Sequence, residues 1–301
     1  MFKLVLLVAK ATLSSIINRF QSIMQNKRRV LIKYGGNAMV DQELQYAIFR
    51  QIKEIQERGH QVVMVHGGGP FIQEVLDAAQ VKSEFAGGHR ITTPEALPFV
   101  EMALKGKVNG QLVRISNSIG LPAVGLSGKD GNTALATKRF HKEENEDGTI
   151  TKVDIGRVGD LVKIDTTLPE MLLSGGYFPI FTCIASDSKG DDYNINADMF
   201  AGHMAGALDV DDYIVLTDVD GLMRDIKRID SIVSELFLDQ IPGLLNKVIK
   251  GGMIPKVESC EIALKNGAGS ARILNGTKPE QLSECLLDKK KIGTTITIRN
   301  K

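Results

Sequence analysis

Two lysines of this chain lie in glycine-rich segments: Lys33 in Val30-Leu31-Ile32-Lys33-Tyr34-Gly35-Gly36-Asn37, and Lys256 in Gly251-Gly252-Met253-Ile254-Pro255-Lys256. A third glycine run, His66-Gly67-Gly68-Gly69-Pro70, follows the apolar segment Val62-Val63-Met64-Val65. A lysine ending a buried strand is costly unless it meets an anion or a carboxylate. Glycines let backbone N–H groups approach an oxyanion beside a helix N-terminus. Together these residue types suit the handling of phosphate. A structural salt bridge at Lys33 is the plainer alternative, and the adjoining Gly35-Gly36 favours the anion.

Other loops add polar groups. Gly87-Gly88-His89-Arg90-Ile91-Thr92 sets an arginine among glycines, where a guanidinium suits bidentate capture of a carboxylate. A lone loop arginine is also a common surface charge. Tyr193-Asn194-Ile195-Asn196-Ala197-Asp198 carries more polar groups than a helix start requires, although Asn194 or Asn196 would serve as an N-cap and Asp198 would complement the helix dipole. Leu216-Thr217-Asp218-Val219-Asp220-Gly221-Leu222 reads as a strand end and an acidic turn. That is where an open parallel sheet holds a nucleotide's ribose and base, or simply turns.

Several common chemistries are excluded. A P-loop needs a glycine five residues before its Gly-Lys pair and a hydroxyl after it; around Gly128-Lys129 those places hold Ala123 and Asp130. Only Gly35-Gly36 follows the first strand, so the dinucleotide pattern is missing. Gly125-Leu126-Ser127-Gly128-Lys129 lacks the last glycine of a nucleophile elbow. The 301 residues include 37 basic and 36 acidic side chains, a net charge of +1, which gives no basic excess for nucleic acid. Cys183, Cys260 and Cys285 form no C-x-x-C pair and are odd in number, so neither a zinc site nor a disulfide framework is expected. Buried thiols in a reducing cytosol are expected instead. No dedicated metal-ligand set is expected, and no apolar run approaches the ~20 residues of a membrane span.

The elements that must position these loops alternate. Residues 41–58, 70–79, 197–207, 232–249 and 256–266 read as helices, and residues 94–118 as a helix interrupted near Gly106 and Gly110. Residues 61–65, 122–126, 178–184, 213–216, 271–274 and 295–298 read as strands. The expected class is α/β, with an open, mainly parallel sheet sandwiched by helices. Residues 133–140 and 150–158 break the rhythm as an inserted β-hairpin with a solvated acidic tip, placed to act as a lid. In residues 1–28, Leu13, Ile16, Ile17, Phe20, Ile23 and Met24 share one helical face. The preceding apolar run is shorter than the ~7–15 residues of a signal-peptide core. An amphipathic extension packing on a second subunit is expected.

The set Ile32-Lys33-Tyr34-Gly35-Gly36-Asn37-Ala38-Met39, His66-Gly67-Gly68-Gly69-Pro70, Gly88-His89-Arg90-Ile91-Thr92, Asn194-Ile195-Asn196-Ala197-Asp198, Leu216-Thr217-Asp218-Val219-Asp220-Gly221 and Gly251-Gly252-Met253-Ile254-Pro255-Lys256 resembles the amino acid kinase family, in order and in register from about residue 29 to 298. The likeness is to its branch acting on N-acetyl-L-glutamate. It implies the two-lobed amino acid kinase fold, with residues 29–209 holding the amino acid and 210–301 holding ATP. It implies phosphoryl transfer from ATP to the γ-carboxylate, the second step of arginine biosynthesis, in the cytoplasm. Lys33 and Lys256 would stabilise the transition state, with Asp198 orienting them. Gly36 and Gly68 would donate N–H groups to the phosphoryl, Gly69 would touch the substrate, and Arg90 and Asn194 would hold its α-carboxylate end. Lys33, Gly36, Thr217, Asp218, Gly221, Leu222 and Lys256 would hold ATP. Mg²⁺ would bridge the phosphates without a protein cage. The partners implied are substrate, ATP and further copies of the chain, in a hexamer of three dimers or a dimer, with no nucleic acid or membrane.

Some residues depart from the family pattern. His89 replaces a leucine of the substrate loop, and Arg157 a phenylalanine of the lid. Arg272 and Cys285 replace a histidine and a glutamate of the segment that binds arginine in inhibited members. A kinase for another N-blocked acidic amino acid, such as an aminoadipate derivative, stays open as an alternative, as does a catalytically silent regulatory subunit. Lys33, Asp198 and Lys256, all present, weigh against the silent subunit.

Overall fold

The computed structural model describes residues 27–145, 147–225 and 227–299. All but the last two residues of the expected extension over 1–28 lie outside the described residues. In chain order the strands are β1 (Arg29–Tyr34), β2 (Gln61–His66), β3 (Phe85–Ala86), β4 (His89–Arg90), β5 (Ala123–Ser127), β6 (Ala134–Glu144), β7 (Ile150–Ile164), β8 (Phe178–Thr182), β9 (Ile184–Ser186), β10 (Asp192–Ile195), β11 (Asp212–Thr217), β12 (Glu235–Phe237), β13 (Ser270–Asn275) and β14 (Thr294–Thr297).

Eight of these form one sheet in the order β12-β14-β13-β11-β1-β2-β8-β5. Its pairs are parallel except β13 with β14. The central strands are apolar runs such as Val62-Val63-Met64-Val65, buried on both faces, as a parallel sheet under two helical layers requires. Parallel strands end on a common edge. The loops after β1, β2 and β11 therefore open side by side, where ligands bind in such sheets. The sheet runs unbroken through the expected lobe boundary, since Leu31 of β1 pairs with Tyr213 of β11.

Strand alternation assigns the two faces. Leu31 belongs to one core cluster with Phe200, Ala201 and Val257. Ile32 and Tyr34 belong to the other, with Ile48, Phe49 and Ile52. Lys33 shares Leu31's face, against the layer built from the helices Ala197–Ala207 and Met253–Lys265. The strand also continues past it to Tyr34, so Lys33 lies within β1 and not after it.

Three other expectations are corrected. Residues 232–249 are not a helix: they hold β12, a 3-10 turn over Leu238–Gln240 and a one-turn helix over Ile241–Leu244. Pro242 lacks the N–H that a continuing helix needs and so marks a new start, and Asn246 takes a left-handed φ of 61°. The helix expected to break near Gly106 and Gly110 runs on through Leu97–Glu101, Met102–Asn109 and Gly110–Ser118. Its middle part widens into a π-helix that takes in Gly106, and Gly110 opens the α-helical part that follows without a stop. The hairpin strands extend beyond the expected ends, and with β9 and β10 they close into a four-stranded sheet in the order β10-β7-β6-β9. Its described tip residues, among them Glu143, Glu144 and Asp147, are exposed as expected.

The three cysteines are buried and free. Among the described residues no helix is long and apolar enough to cross a membrane.

Candidate active site

Asn196 caps the helix Ala197–Ala207, its Oδ1 accepting from the backbone N–H groups of Asp198 at 2.9 Å and Met199 at 3.2 Å. Asp198 is thereby fixed in the first turn, facing β1. The neighbouring helix Met253–Lys265 comes so near that a Cβ on Gly202 would stand 2.5 Å from the carbonyl oxygen of Ser259. This close packing sets the two N-terminal turns together. Lys33 Nζ lies 2.9 Å from Asp198 Oδ1, and Lys256 Nζ lies 3.5 Å from Asp198 Oδ2. Lys33 is 5% exposed and Asp198 6%.

Two ammonium groups thus share one buried carboxylate and leave one positive charge in excess. Burial pushes the Asp198 carboxyl up, but the Lys33 and Lys256 charges outweigh it and hold the group below the usual carboxylate range. Burial lowers Lys256, and Lys33 adds to that, against the pull of Asp198. A second anion would relieve the excess charge.

Beside this triad is a cavity of about 250 Å³ lined by Lys33, Gly36, Gly68, Gly69, Arg90, Asn194 and Asp198, with Phe85, His89 and Leu104 in its walls. The absence of a side chain at Gly35 leaves room for the lysine, since a Cβ there would stand 2.8 Å from Lys33 Nζ. Gly36 takes φ +76°, and a Cβ there would come 2.5 Å from Asp218 Oδ1, so the loop after β1 and the turn after β11 meet only through glycine.

Arg90, on the β3–β4 ribbon, donates from Nη1 to Gln73 Oε1 at 2.8 Å and to Ser83 Oγ, while Nη2 lies 3.3 Å from the Gly69 carbonyl and the guanidinium covers the Phe85 ring. Asn194, on β10, donates from Nδ2 to Thr92 Oγ1 at 3.2 Å. Of the two basic departures, His89 reaches the cavity wall. Arg157 turns aside to pair with Asp191 at 2.8 Å, leaving Val158 to line the cavity. Arg272 donates from Nη1 to the Lys290 carbonyl at 3.1 Å.

A second cavity, of about 530 Å³, is lined by Gly221, Leu222, Met223, Lys247, Lys250 and Met253 among others. The residues read as ATP-binding are therefore spread out. Lys33 and Gly36 line the first cavity and Gly221 and Leu222 the second. Thr217 ends β11, Asp218 faces Gly36, and Lys256 meets Asp198 from outside the lining of either cavity. Sequence gives no local signal for Lys247, which lies inside the expected helix over 232–249, or for Met223 and Lys250, which only adjoin the acidic turn and the second glycine run.

His66 has no role among the sequence expectations, although it adjoins the glycine run. It is fully buried, with Nδ1 2.8 Å from the Gly67 carbonyl oxygen and Nε2 3.0 Å from Asn109 Nδ2. Burial is the main cause that lowers its pKa from 6.5 to about 4. The folded state keeps this ring neutral while the unfolded chain takes up a proton below about pH 6.5, so stability falls with pH from there down to about 4. The whole shift corresponds to about 3 kcal/mol. Urea unfolding at pH 7 and pH 5 is expected to show wild type losing about 2 kcal/mol more than His66→Asn. Equal losses would mean that the ring is protonated in the fold.

A mainly parallel sheet with a buried lysine in β1, a second lysine and a shared carboxylate on two helices packed against it, and glycine loops at its common edge has the make-up of a phosphate-handling α/β fold. The chain belongs to the amino acid kinase family, whose model matches residues 28–275. It is similar to the acetylglutamate kinase of Heliobacterium modesticaldum, 44% identical over 270 residues, covering 89% of this chain and 92% of that one. It is likewise similar to the acetylglutamate kinase of Methanocaldococcus jannaschii, 42% identical over 268 residues, covering 89% of each. The crystal structure of a Streptococcus mutans protein matches it with a TM-score of 0.71 at 28% identity, covering 89% of this chain and 98% of that one.

Proposed function

We propose that this chain is an enzyme that transfers the γ-phosphoryl group of ATP to the γ-carboxylate of N-acetyl-L-glutamate, in arginine biosynthesis. The observation that carries this reading is the Lys33–Asp198–Lys256 triad beside the glycine loops at one sheet edge. Relatives bearing that activity in their names are 40–44% identical over most of the chain. Nothing observed favours another N-blocked acid or a silent subunit.

The chemistry needs little from a base. A γ-carboxylate with a reference pKa of ~4.3 is ionised at neutral pH and attacks as it stands. The difficulty is to bring two anions together and to stabilise charge on the transferring phosphoryl. Lys33 and Lys256 would supply positive charge from two sides, with Asp198 fixing their positions without accepting a proton. The Gly36 and Gly68 N–H groups would face the phosphoryl oxygens. Arg90, Asn194 and Gly69 would hold the substrate, and the β6–β7 hairpin would cover it. Gly221 and Leu222, with Thr217 and Asp218 leading to them, would hold the nucleotide in the second cavity, its phosphates running toward Lys33. Division into an amino-acid half (29–209) and a nucleotide half (210–301) follows from that placement.

Asp198, the one carboxylate among the described residues that line the first cavity, is committed to both lysines. Mg²⁺ would therefore arrive on the triphosphate, held by phosphate oxygens and water, in keeping with its reluctance to dehydrate. The three free thiols accord with a cytoplasmic setting. The homo-oligomer rests on the helical spacing of apolar residues from Leu13 to Met24 in the sequence, a segment that lies outside the described residues.

Arg90→Ala is expected to raise KM for the acid about tenfold or more with kcat little changed, the pattern of a lost ground-state anchor. An unchanged KM with lowered kcat would contradict that role. The function itself is tested by ³¹P NMR of the full chain with MgATP and N-acetyl-L-glutamate. An acyl-phosphate signal that grows with ADP supports it, and ADP without acyl phosphate opposes it.

A further inference from the structure

The side chain behind the glycine loop has a fixed protonation pattern. Asn109 Nδ2 lies 2.9 Å from the Ile180 carbonyl oxygen and 3.0 Å from His66 Nε2. A carbonyl oxygen only accepts, so the amide nitrogen must face it. The same nitrogen then donates to Nε2, and in a neutral ring the proton sits on Nδ1. That N–H points at the Gly67 carbonyl, 2.8 Å away.

The consequence reaches the cavity. The Gly67 N–H donates to the Tyr34 carbonyl of β1 at 3.0 Å, and His66 holds the Gly67 C=O. The peptide linking Gly67 to Gly68 is therefore held from both sides. In a trans peptide the N–H of the next residue points opposite to the C=O. With the Gly67 C=O drawn toward the buried ring, the Gly68 N–H is directed away from it. Gly67 and Gly68 line the cavity; His66 and Asn109 do not. Asn109 ends the π-helical segment Met102–Asn109, and Leu104 of that segment lies so close to the loop that a Cβ on Gly68 would stand 2.9 Å from its Cδ2. One widened stretch of helix thus sets the ring and backs the glycine loop.

We propose that His66, held as its Nδ1–H tautomer by Asn109, is a positioning residue that aims the Gly68 N–H at the transferring phosphoryl group. This rests on the phosphoryl-transfer reading given above. The ring touches neither substrate nor nucleotide, and it acts only through the peptide plane it fixes.

Two substitutions separate the ring's two bonds. In His66→Asn the side-chain amide nitrogen can take the place of Nδ1, keeping the donor to Gly67. In His66→Gln the side-chain amide oxygen can take the place of Nε2, accepting from Asn109 Nδ2, while the donor to Gly67 is lost. With the full chain, MgATP and N-acetyl-L-glutamate, His66→Gln is expected to lower kcat about tenfold or more at little-changed KM values, because a misaimed N–H fails mainly in the transition state. His66→Asn is expected to recover kcat to within about threefold of wild type. Equal kcat in the two variants, or a loss carried by KM, would overturn the proposal. A wild-type chain that forms no acyl phosphate would instead bring down the functional reading. Histidine-¹⁵N NMR of the unmutated chain checks the tautomer even if a variant fails to fold. A neutral, Nδ1-protonated His66 is expected, and an Nε2-protonated ring would overturn the proposal.

Discussion

Lys33→Ala lowers kcat by about 10²–10³-fold while the KM values change little, the scale for losing one electrostatic partner of a transition state. The geometry behind this expected result is specific. Lys33 is buried within β1, lines the cavity beside Gly36 and Gly68, and lies 2.9 Å from Asp198. Its charge is fixed before substrate arrives, so little reorganisation is needed as charge develops on the phosphoryl. Lys256→Ala is expected to lose about 10²-fold or more for the same reason. Lys33→Arg should restore little, because a planar guanidinium does not replace a compact ammonium at so buried a position. Steady-state kinetics with MgATP and N-acetyl-L-glutamate measure each variant. Near-wild-type turnover in Lys33→Ala would remove that lysine from the mechanism.

Asp198→Asn acts on the fold as well as the reaction. It leaves the buried Lys33 and the partly buried Lys256 ammonium groups with no counter-charge, and breaking a buried ionic cluster in this way costs about 3–5 kcal/mol. The pH dependence has a definite sign. The carboxyl's folded pKa lies below its unfolded value, so its contribution is complete above about pH 4 and is lost as pH falls through the folded pKa. The gap between wild type and Asp198→Asn should therefore be full at pH 7 and shrink below about pH 4. Urea denaturation at several pH values reads it directly. A variant as stable as wild type at pH 7 would show that Asp198 does not hold the lysines.

The parts legible in the sequence were those set by short-range rules. Apolar runs ending in glycine located β1, β2 and the loops after them, and Asn196 with Asp198 announced a helix start that the structure places at Ala197. The meeting of Lys33, Asp198 and Lys256 could be read only through the family resemblance, because residues 33, 198 and 256 come together through sheet order and helix packing. Other features depended on tertiary packing alone. The π-helical turn that sends Asn109 to His66 has no local signature, and Gly106 and Gly110 pointed the other way. Apolar residues in 232–249 matched a helical period, yet Pro242 and a left-handed Asn246 divide that stretch into a strand and turns. Arg157 looked like a change to the substrate site, but its pairing with Asp191 removes it from the cavity lining.

The most direct measurement is hydroxylamine trapping of the acyl phosphate made by the full chain with MgATP. Four acids would be compared, N-acetyl-L-glutamate, free glutamate, aspartate and N-acetyl-L-aminoadipate, each with and without arginine. The expected result is a hydroxamate formed selectively from N-acetyl-L-glutamate. The arginine arm would show whether the segment carrying Arg272 and Cys285 still exerts control. Selective product from one of the other acids, or none from any of them while ATP still binds, would contradict the account.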